Sequence, residues 1–153
     1  MTIAKDSDLE MFPQDQLHAA LSVLCGERLG YGISRTTFAM RYCDDKVLKI
    51  ENADSGVFQN VIEWRAWEYI QHDTEMLKYF IPCVEISRCG TVLVQMKAEA
   101  LPDDMHEVEL PDFVGDYKRE NLGMFEGRVV VLDYGLWNPV ARGKVKIKKR
   151  MTY

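Results

Sequence analysis

The stretch VGDYKRENLGMFEGRVVVLDYG, residues 114 to 135, decides how the rest of the chain is read. Glu126-Gly127 is a turn signal, and the segment around it, MFEGRVVVLDYG, predicts a β-hairpin. Polar side chains gather just before the hairpin, where Asp116, Lys118 and Asn121 recur within six residues. At its far end Asp133 follows Val-Val-Val-Leu, a run that reads as a buried strand. A carboxylate there is poised at the rim of a sheet, and Gly135 permits a sharp turn after it. Carboxylate and amide oxygens placed this way are hard donors of the kind that hold a magnesium ion.

Upstream lie groups that would complement such a site. LGYGISRTTF (29–38) sets Gly30 and Gly32 between two strand candidates, where a missing Cβ lets backbone amides approach an anion. Taken alone, two glycines in a hairpin turn are common. Lys49 follows Gly32 by seventeen residues, inside the apolar run Val-Leu-Lys-Ile, and is expected on a sheet surface. A snorkelling edge-strand lysine is its bland alternative. Glu63 falls in the next predicted helix among aromatic residues, where it could pair with Lys49 or simply face solvent.

Hydrophobic periodicity supplies the elements between these residues. Leu17, Leu21 and Leu24 form one stripe of a short helix over 15–26, with Asp15 as its cap and Gly26 as its stop. Strands are expected at 27–32, 36–42 and 47–51, with Cys-Asp-Asp-Lys as the turn before the third. Residues 51–56 read as a loop, and 57–72 as a helix whose stripe is Phe58, Ile62, Trp67 and Ile70. Strands at 82–87 and 91–96 follow, then a polar loop over 97–111 carrying Pro102 and Pro111. Consecutive strands joined by tight turns imply an antiparallel sheet with added helices, an α+β fold.

Composition sets the outer limits. The 153 residues suit one domain, and 47% hydrophobic with 28% charged is ordinary globular usage. No apolar run approaches the ~20 residues that span a bilayer, and residues 1–12 lack the apolar core of a signal peptide, so a cytoplasmic protein without membrane contact is expected. Cys25, Cys43, Cys83 and Cys89 form no Cys-x-x-Cys pair, and His18, His72 and His106 are scattered. Reduced, mostly buried thiols are expected, with a Cys83–Cys89 disulfide as the minor alternative. Trp64, Trp67 and Trp137 are expected as core or interface anchors. RGKVKIKKR (142–150) holds six basic residues and no acid, although the whole chain carries −5. Such an end can meet nucleic acid, an acidic partner or its own acidic body, and the bland reading is a solvated strand.

The joint order of these features resembles the protein-kinase superfamily over residues 28 to about 135. The Gly-rich loop is similar to Leu-Gly-Tyr-Gly, the strand lysine to Lys49 and the glutamate of the αC helix to Glu63. The catalytic loop His-Arg-Asp-x-Lys-x-x-Asn is similar to residues 114–121, and Asp-Phe-Gly to Asp133-Tyr134-Gly135. The resemblance implies an antiparallel N-lobe sheet with one αC-type helix and a minimal C-lobe. It divides one kinase-like domain into a helical extension (1–26), an N-lobe-like part (27–96), a hinge with catalytic loop and hairpin (97–135) and a basic tail (136–153). It implies ATP and Mg²⁺ as cofactors, with nucleotide held by Gly30, Gly32, Lys49 and Glu63 and metal by Asn121 and Asp133. Asp116 would orient the accepting hydroxyl and Lys118 offset charge on the phosphoryl group; the Asp-x-Lys form leans toward protein kinases over small-molecule kinases of the same superfamily, and the enzyme class implied is a serine/threonine-type kinase. Small phage-encoded kinase-like proteins have this look, which would place the chain in a host cytoplasm.

The departures from that pattern are equally specific. Arg35 stands where the third glycine of the loop would be, either to contact phosphate or to block its approach. Val114-Gly115 replaces His-Arg, nineteen residues separate Met96 from Asp116, and eighteen follow Gly135. Ala-Pro-Glu does not occur in these residues, and the helical platform that binds peptide substrates is not expected from these intervals. Apolar surface left bare is expected to be covered by the N-terminal helix, by the 97–111 segment, or by a second copy of the chain in a homodimer. A catalytically inactive module that binds and modulates a host protein is the alternative function, with the partner unidentified and nucleic acid the weakest candidate.

Overall fold

The computed structural model describes residues 14–52, 56, 58–135 and 145–153. Helix α1 (Gln14–Leu24) runs directly into strand β1 (Cys25–Tyr31), followed by β2 (Arg35–Met40) and β3 (Cys43–Glu51). Helix α2 (Gln59–Ile70) and a short 3₁₀ turn (Leu77–Tyr79) lead to β4 (Cys83–Ile86) and β5 (Val92–Met96). Then come β6 (Glu107–Pro111), a 3₁₀ turn (Arg119–Asn121), β7 (Leu122–Phe125), β8 (Arg128–Val131) and β9 (Ile147–Met151).

Five strands form one sheet in the order β1-β2-β3-β5-β4, with every neighbouring pair antiparallel. The α+β expectation therefore holds: the described residues are rich in antiparallel sheet and carry few helices. Helix α2 connects β3 to β4 and packs on the sheet beside β3, β4 and β5. In the register of β3, Lys49 lies between Thr37 of β2 and Leu93 of β5. Its place in a central strand, rather than at an edge, is why Lys49 is buried to 5% exposure.

The hairpin β7–β8 forms a separate two-stranded sheet, turning at Glu126 and Gly127, both at positive φ (49° and 75°). Two positive-φ residues in succession match the twist of a tight hairpin, as the Glu-Gly pair implied. Among the described residues, backbone bonds fasten the hairpin to the main body at Val131 and Met124. Ile81 N–H donates to Val131 O at 3.1 Å, and Glu99 and Met124 exchange backbone bonds at 2.9 and 2.8 Å. The core sits between the sheet with α2 and this hairpin: Ala66, Trp67 and Ile70 from α2, Leu93 from β5, and Leu122, Val130 and Val131 from the hairpin. Phe80 stacks on Phe113 and meets Tyr134 edge-on, with ring centroids 6.1 and 5.1 Å apart.

Several local expectations are corrected. Asp15 lies inside α1 rather than capping it, and Gly26 belongs to β1, where a Cβ would crowd Ala39 O at 3.1 Å. The second hairpin turns at Arg41-Tyr42, so Cys43-Asp44-Asp45-Lys46 is already strand. The buried stripe of α2 is Gln59, Asn60, Glu63, Ala66, Trp67 and Ile70, while Phe58 and Ile62 are exposed. That spacing is helical, but its first turn is polar, so an apolar template selects the wrong face. The 97–111 loop contains β6, whose alternation of exposed Glu107 and Glu109 with buried Val108 and Leu110 has the period of a strand.

Strand β6 pairs with β9, so the basic end lies on the molecule's own body within its described part. Residues 142–144 of that run, and Trp137, lie outside the described residues. Leu101, Val108 and Leu110 join the core, so the 97–111 segment does cover apolar surface, whereas Val23 and Leu24 of α1 are exposed. The cysteines are free thiols, and of them only Cys83 is buried; Cys89 is exposed and Cys25 and Cys43 half-buried. Burial pushes the Cys83 thiol up to about 12. No helix among the described residues is long and apolar enough to cross a membrane.

Candidate functional site

A cavity of about 710 Å³ opens between the sheet and the hairpin, within the size range of small-molecule sites. Gly30, Gly32, Arg35 and Lys49 line one side; Asn121, Leu132 and Asp133 line the other; Met96 to Leu101 run along its edge. Six sequence-predicted residues thus fall in or directly behind one cavity: Gly30, Gly32, Lys49, Asn121 and Asp133 as lining, and Glu63 as the buried partner of Lys49. Asp116 and Lys118 are exposed and are not among the lining residues.

The inner end is a buried polar cluster. Lys49 Nζ donates to Glu63 Oε1 at 2.7 Å and to Leu132 O at 2.5 Å. Gln95 Nε2 donates to the same Glu63 oxygen at 2.7 Å. Lys49 and Glu63 are both buried, so the pair holds only because these bonds replace lost water. The bond to Leu132 O has a second effect: it ties β3 to the residue before Asp133 and so fixes that carboxylate at the cavity wall.

Arg35 is the residue whose importance the sequence left open. It begins β2 after a turn closed by Gly32 N–H to Arg35 O at 2.8 Å. Its side chain is 5% exposed and points inward. Nη1 donates to Asn60 Oδ1 at 3.0 Å, and Nη2 lies 2.7 Å from both Asp133 Oδ1 and Glu63 Oε2. Burial opposes the charged guanidinium, but the Glu63 and Asp133 carboxylates outweigh it and raise the Arg35 pKa further. The Asp133 carboxyl likewise lies below its ordinary range: burial raises it, and the cations Arg35 and Lys49 more than offset that.

The residues missed in the sequence are Asn60, Gln59 and Gln95. Asn60 is fully buried; its amide donates to Lys49 O at 2.9 Å and to Thr91 O at 3.0 Å while its oxygen receives Arg35. Glu51 Oε1 accepts from the Asn60 backbone N–H at 2.5 Å, satisfying a first-turn donor of α2 from a neighbouring strand. Gln59 Nε2 reaches Asp133 Oδ1 at 3.4 Å, and its oxygen receives the Ser34 hydroxyl. The readable signal was three polar residues, Gln59, Asn60 and Glu63, spaced to share one helix face.

Behind the carboxylate, Tyr134 anchors the Asp-Tyr-Gly turn. It is 4% exposed, and its hydroxyl donates to Ile81 O at 2.8 Å and lies 3.1 Å from Cys83 Sγ. Gly135 lets α2 approach closely, since a Cβ there would stand 2.9 Å from Gln59 O and 2.5 Å from Gln59 Cγ.

A magnesium ion at Asp133 would compete with a cation already in place, Arg35. Asn121 and Asp133 offer hard oxygens at the cavity wall, but Asp133 Oδ1 already receives Arg35, Gln59 and the Gly135 N–H. Among the described residues, no group of three or more His, Cys, Asp or Glu side chains could hold a metal ion.

The segment carrying Asp116 is held from the other direction. Tyr117 meets Tyr153 edge-on at 5.4 Å, and the Arg150 guanidinium lies 5.3 Å from the centre of the Tyr117 ring. Arg119 N–H donates to Tyr153 O at 3.0 Å, while its guanidinium bonds Met105 O and Pro102 O at 2.6 and 2.8 Å. The basic β9 strand therefore buttresses this segment.

No protein-family model matches the chain, and no curated protein matches it. Among solved structures, it is similar to the streptomycin–ATP–APH(2″)-IIa ternary complex with a TM-score of 0.41 and 15% identity, covering 71% of this chain and 32% of that one. It is similar to the gentamicin–APH(2″)-IIa complex with a TM-score of 0.40 and 16% identity, covering 65% and 30%. The chain thus spans about a third of the length of those structures.

Proposed function

We propose that this chain is a kinase-like nucleotide-binding protein whose cavity takes ATP with the phosphates toward Lys49 and Arg35. The observation that carries the reading is the buried Lys49–Glu63 pair at 2.7 Å, set at the inner end of a cavity that Gly30 and Gly32 border. Lys49 uses two of its three N–H donors among the described residues, which leaves one for a phosphate oxygen. In this reading residues 27–96 form the N-lobe-like part and 97–135 the hinge, catalytic-loop segment and metal-type hairpin. The 97–101 edge is the place for the base, since main-chain groups in an extended segment can read a purine ring's donors and acceptors.

Thermal unfolding with ATP, with and without Mg²⁺, tests this. A rise in Tm at millimolar ATP is expected, because a ligand that binds only the folded state stabilises it. Lys49→Ala should lose most of that rise relative to its own baseline. No rise under either condition would sink the reading.

A second reading, binding without phosphoryl transfer, is favoured by the exposed positions of Asp116 and Lys118 outside the cavity lining. The chain then acts as a catalytically inactive module on a partner protein. Incubation with labelled ATP, alone and with cell lysate, separates the two: label transferred by the wild type and lost in Asp116→Ala supports a serine/threonine-type kinase. Absence of transfer with ATP binding intact supports the module.

A further inference from the structure

The charges at the inner end of the cavity balance without a metal. Arg35 and Lys49 supply two positive charges against Glu63 and Asp133. The Arg35 Nη2 to Asp133 Oδ1 distance of 2.7 Å is that of a charge-assisted hydrogen bond. This cation is also fixed. Its other nitrogen is bound to fully buried Asn60, and the turn that carries it is pinned by Asn52 N–H to Ser34 O at 2.7 Å and Thr36 Oγ1 to Asn52 Oδ1 at 2.8 Å. Swinging Arg35 into solvent would leave Glu63 Oε2 and Asn60 Oδ1 buried without it. A divalent ion at Asp133 would have to share a carboxylate with a guanidinium bound at hydrogen-bond distance, and like charges that close repel strongly.

We propose that Arg35 occupies the cation position at Asp133 in place of a divalent metal, so that phosphate binding in this cavity is independent of Mg²⁺. The inference rests on the nucleotide-binding reading for its phosphate half, while the displacement of metal from Asp133 stands on the geometry of Arg35 alone. The residue at the third-glycine position then neutralises Asp133 with a permanent charge, where a glycine would only permit close approach of phosphate. Arginine suits the role because its guanidinium stays ionised and its forked donors reach Asp133 and Asn60 at once.

The experiment uses the full chain and two probes. Mn²⁺, which takes the same oxygen donors as Mg²⁺ and has a paramagnetic signal that is lost on binding, is titrated without nucleotide into wild type, Asp133→Asn, Arg35→Gln and the Arg35→Gln/Asp133→Asn double variant. Wild type and Asp133→Asn are expected to show the same weak background. Arg35→Gln is expected to bind Mn²⁺ about tenfold more tightly, consistent with removal of one adjacent like charge, and the double variant to lose that gain. Separately, the ATP-induced rise in Tm of the wild type is expected to be equal in EDTA and in Mg²⁺. Mn²⁺ binding by wild type that Asp133→Asn removes would overturn the proposal, as would a Tm rise that requires Mg²⁺ or a folded Arg35→Gln variant with no gain. Should Arg35→Gln fail to fold, the wild type against Asp133→Asn comparison decides the metal question by itself. No Tm rise in any condition would refute nucleotide binding, with the Mn²⁺ titrations still deciding what Arg35 does.

Discussion

The dipeptide Asp-Tyr occurs twice, as Asp116-Tyr117 and Asp133-Tyr134, in opposite surroundings. Asp133-Tyr134 closes a strand against the core: its tyrosine is 4% exposed, and its carboxylate is held by Arg35. Asp116-Tyr117 runs over the surface, with an exposed carboxylate and a half-buried ring resting on Tyr153 and Arg150. Identical side chains are thus a locked structural corner in one place and an accessible pair in the other. The difference comes from what precedes each: Val-Val-Val-Leu commits its copy to a buried hairpin, whereas Val-Gly leads into irregular backbone.

The sharpest way to break the comparison is to disturb the cluster that holds the first copy. Glu63→Gln leaves Lys49 and Arg35 buried with one carboxylate fewer, and a loss of about 3–5 kcal/mol is expected, read from urea unfolding. A loss below about 1 kcal/mol would mean that water or rearrangement already screens the cluster. Next in size is the tyrosine pair. Tyr134→Phe strips the Ile81 carbonyl of a buried donor and should cost about 1–2 kcal/mol, whereas Tyr117→Phe should stay within about 0.5 kcal/mol. Equal losses at both positions would erase the distinction.

The aspartate is expected to have the smallest effect, and that effect depends on pH. Asp133 keeps 39% of its side-chain surface, so screening limits its pair with Arg35 to about 1 kcal/mol or less. Its folded pKa is depressed, so the contribution is complete above the unfolded value near pH 4 and disappears as pH falls through the folded value. Wild type should therefore exceed Asp133→Asn in stability at neutral pH, and the gap should close below about pH 4. A gap that widens in acid would reverse the sign and reject the ion pair as its source.

Much of the architecture was readable because it rests on local rules. Period-two alternation found β1 to β5 to within a few residues, and Glu126-Gly127 announced its hairpin. What failed did so for nonlocal reasons. Strand β6 hides in a charged, proline-flanked segment because its partner, β9, lies forty residues downstream. The buried face of α2 starts with Gln59, Asn60 and Glu63, polar groups that only a charged cavity can satisfy, so hydrophobicity pointed to Phe58 and Ile62 instead.

The sequence by itself determined the elements, the hairpin and the residue types able to meet phosphate, because these follow from backbone period, turn chemistry and side-chain charge. Tertiary structure alone decided which of those groups converge. Arg35, Lys49, Glu63 and Asp133 come from β2, β3, α2 and the end of the hairpin, and only packing across that span brings Arg35 to 2.7 Å from both Glu63 and Asp133 and Lys49 to 2.7 Å from Glu63. It also decided what Arg35 is: a residue at a loop position in the sequence becomes, once buried between two carboxylates, the fixed cation of the site.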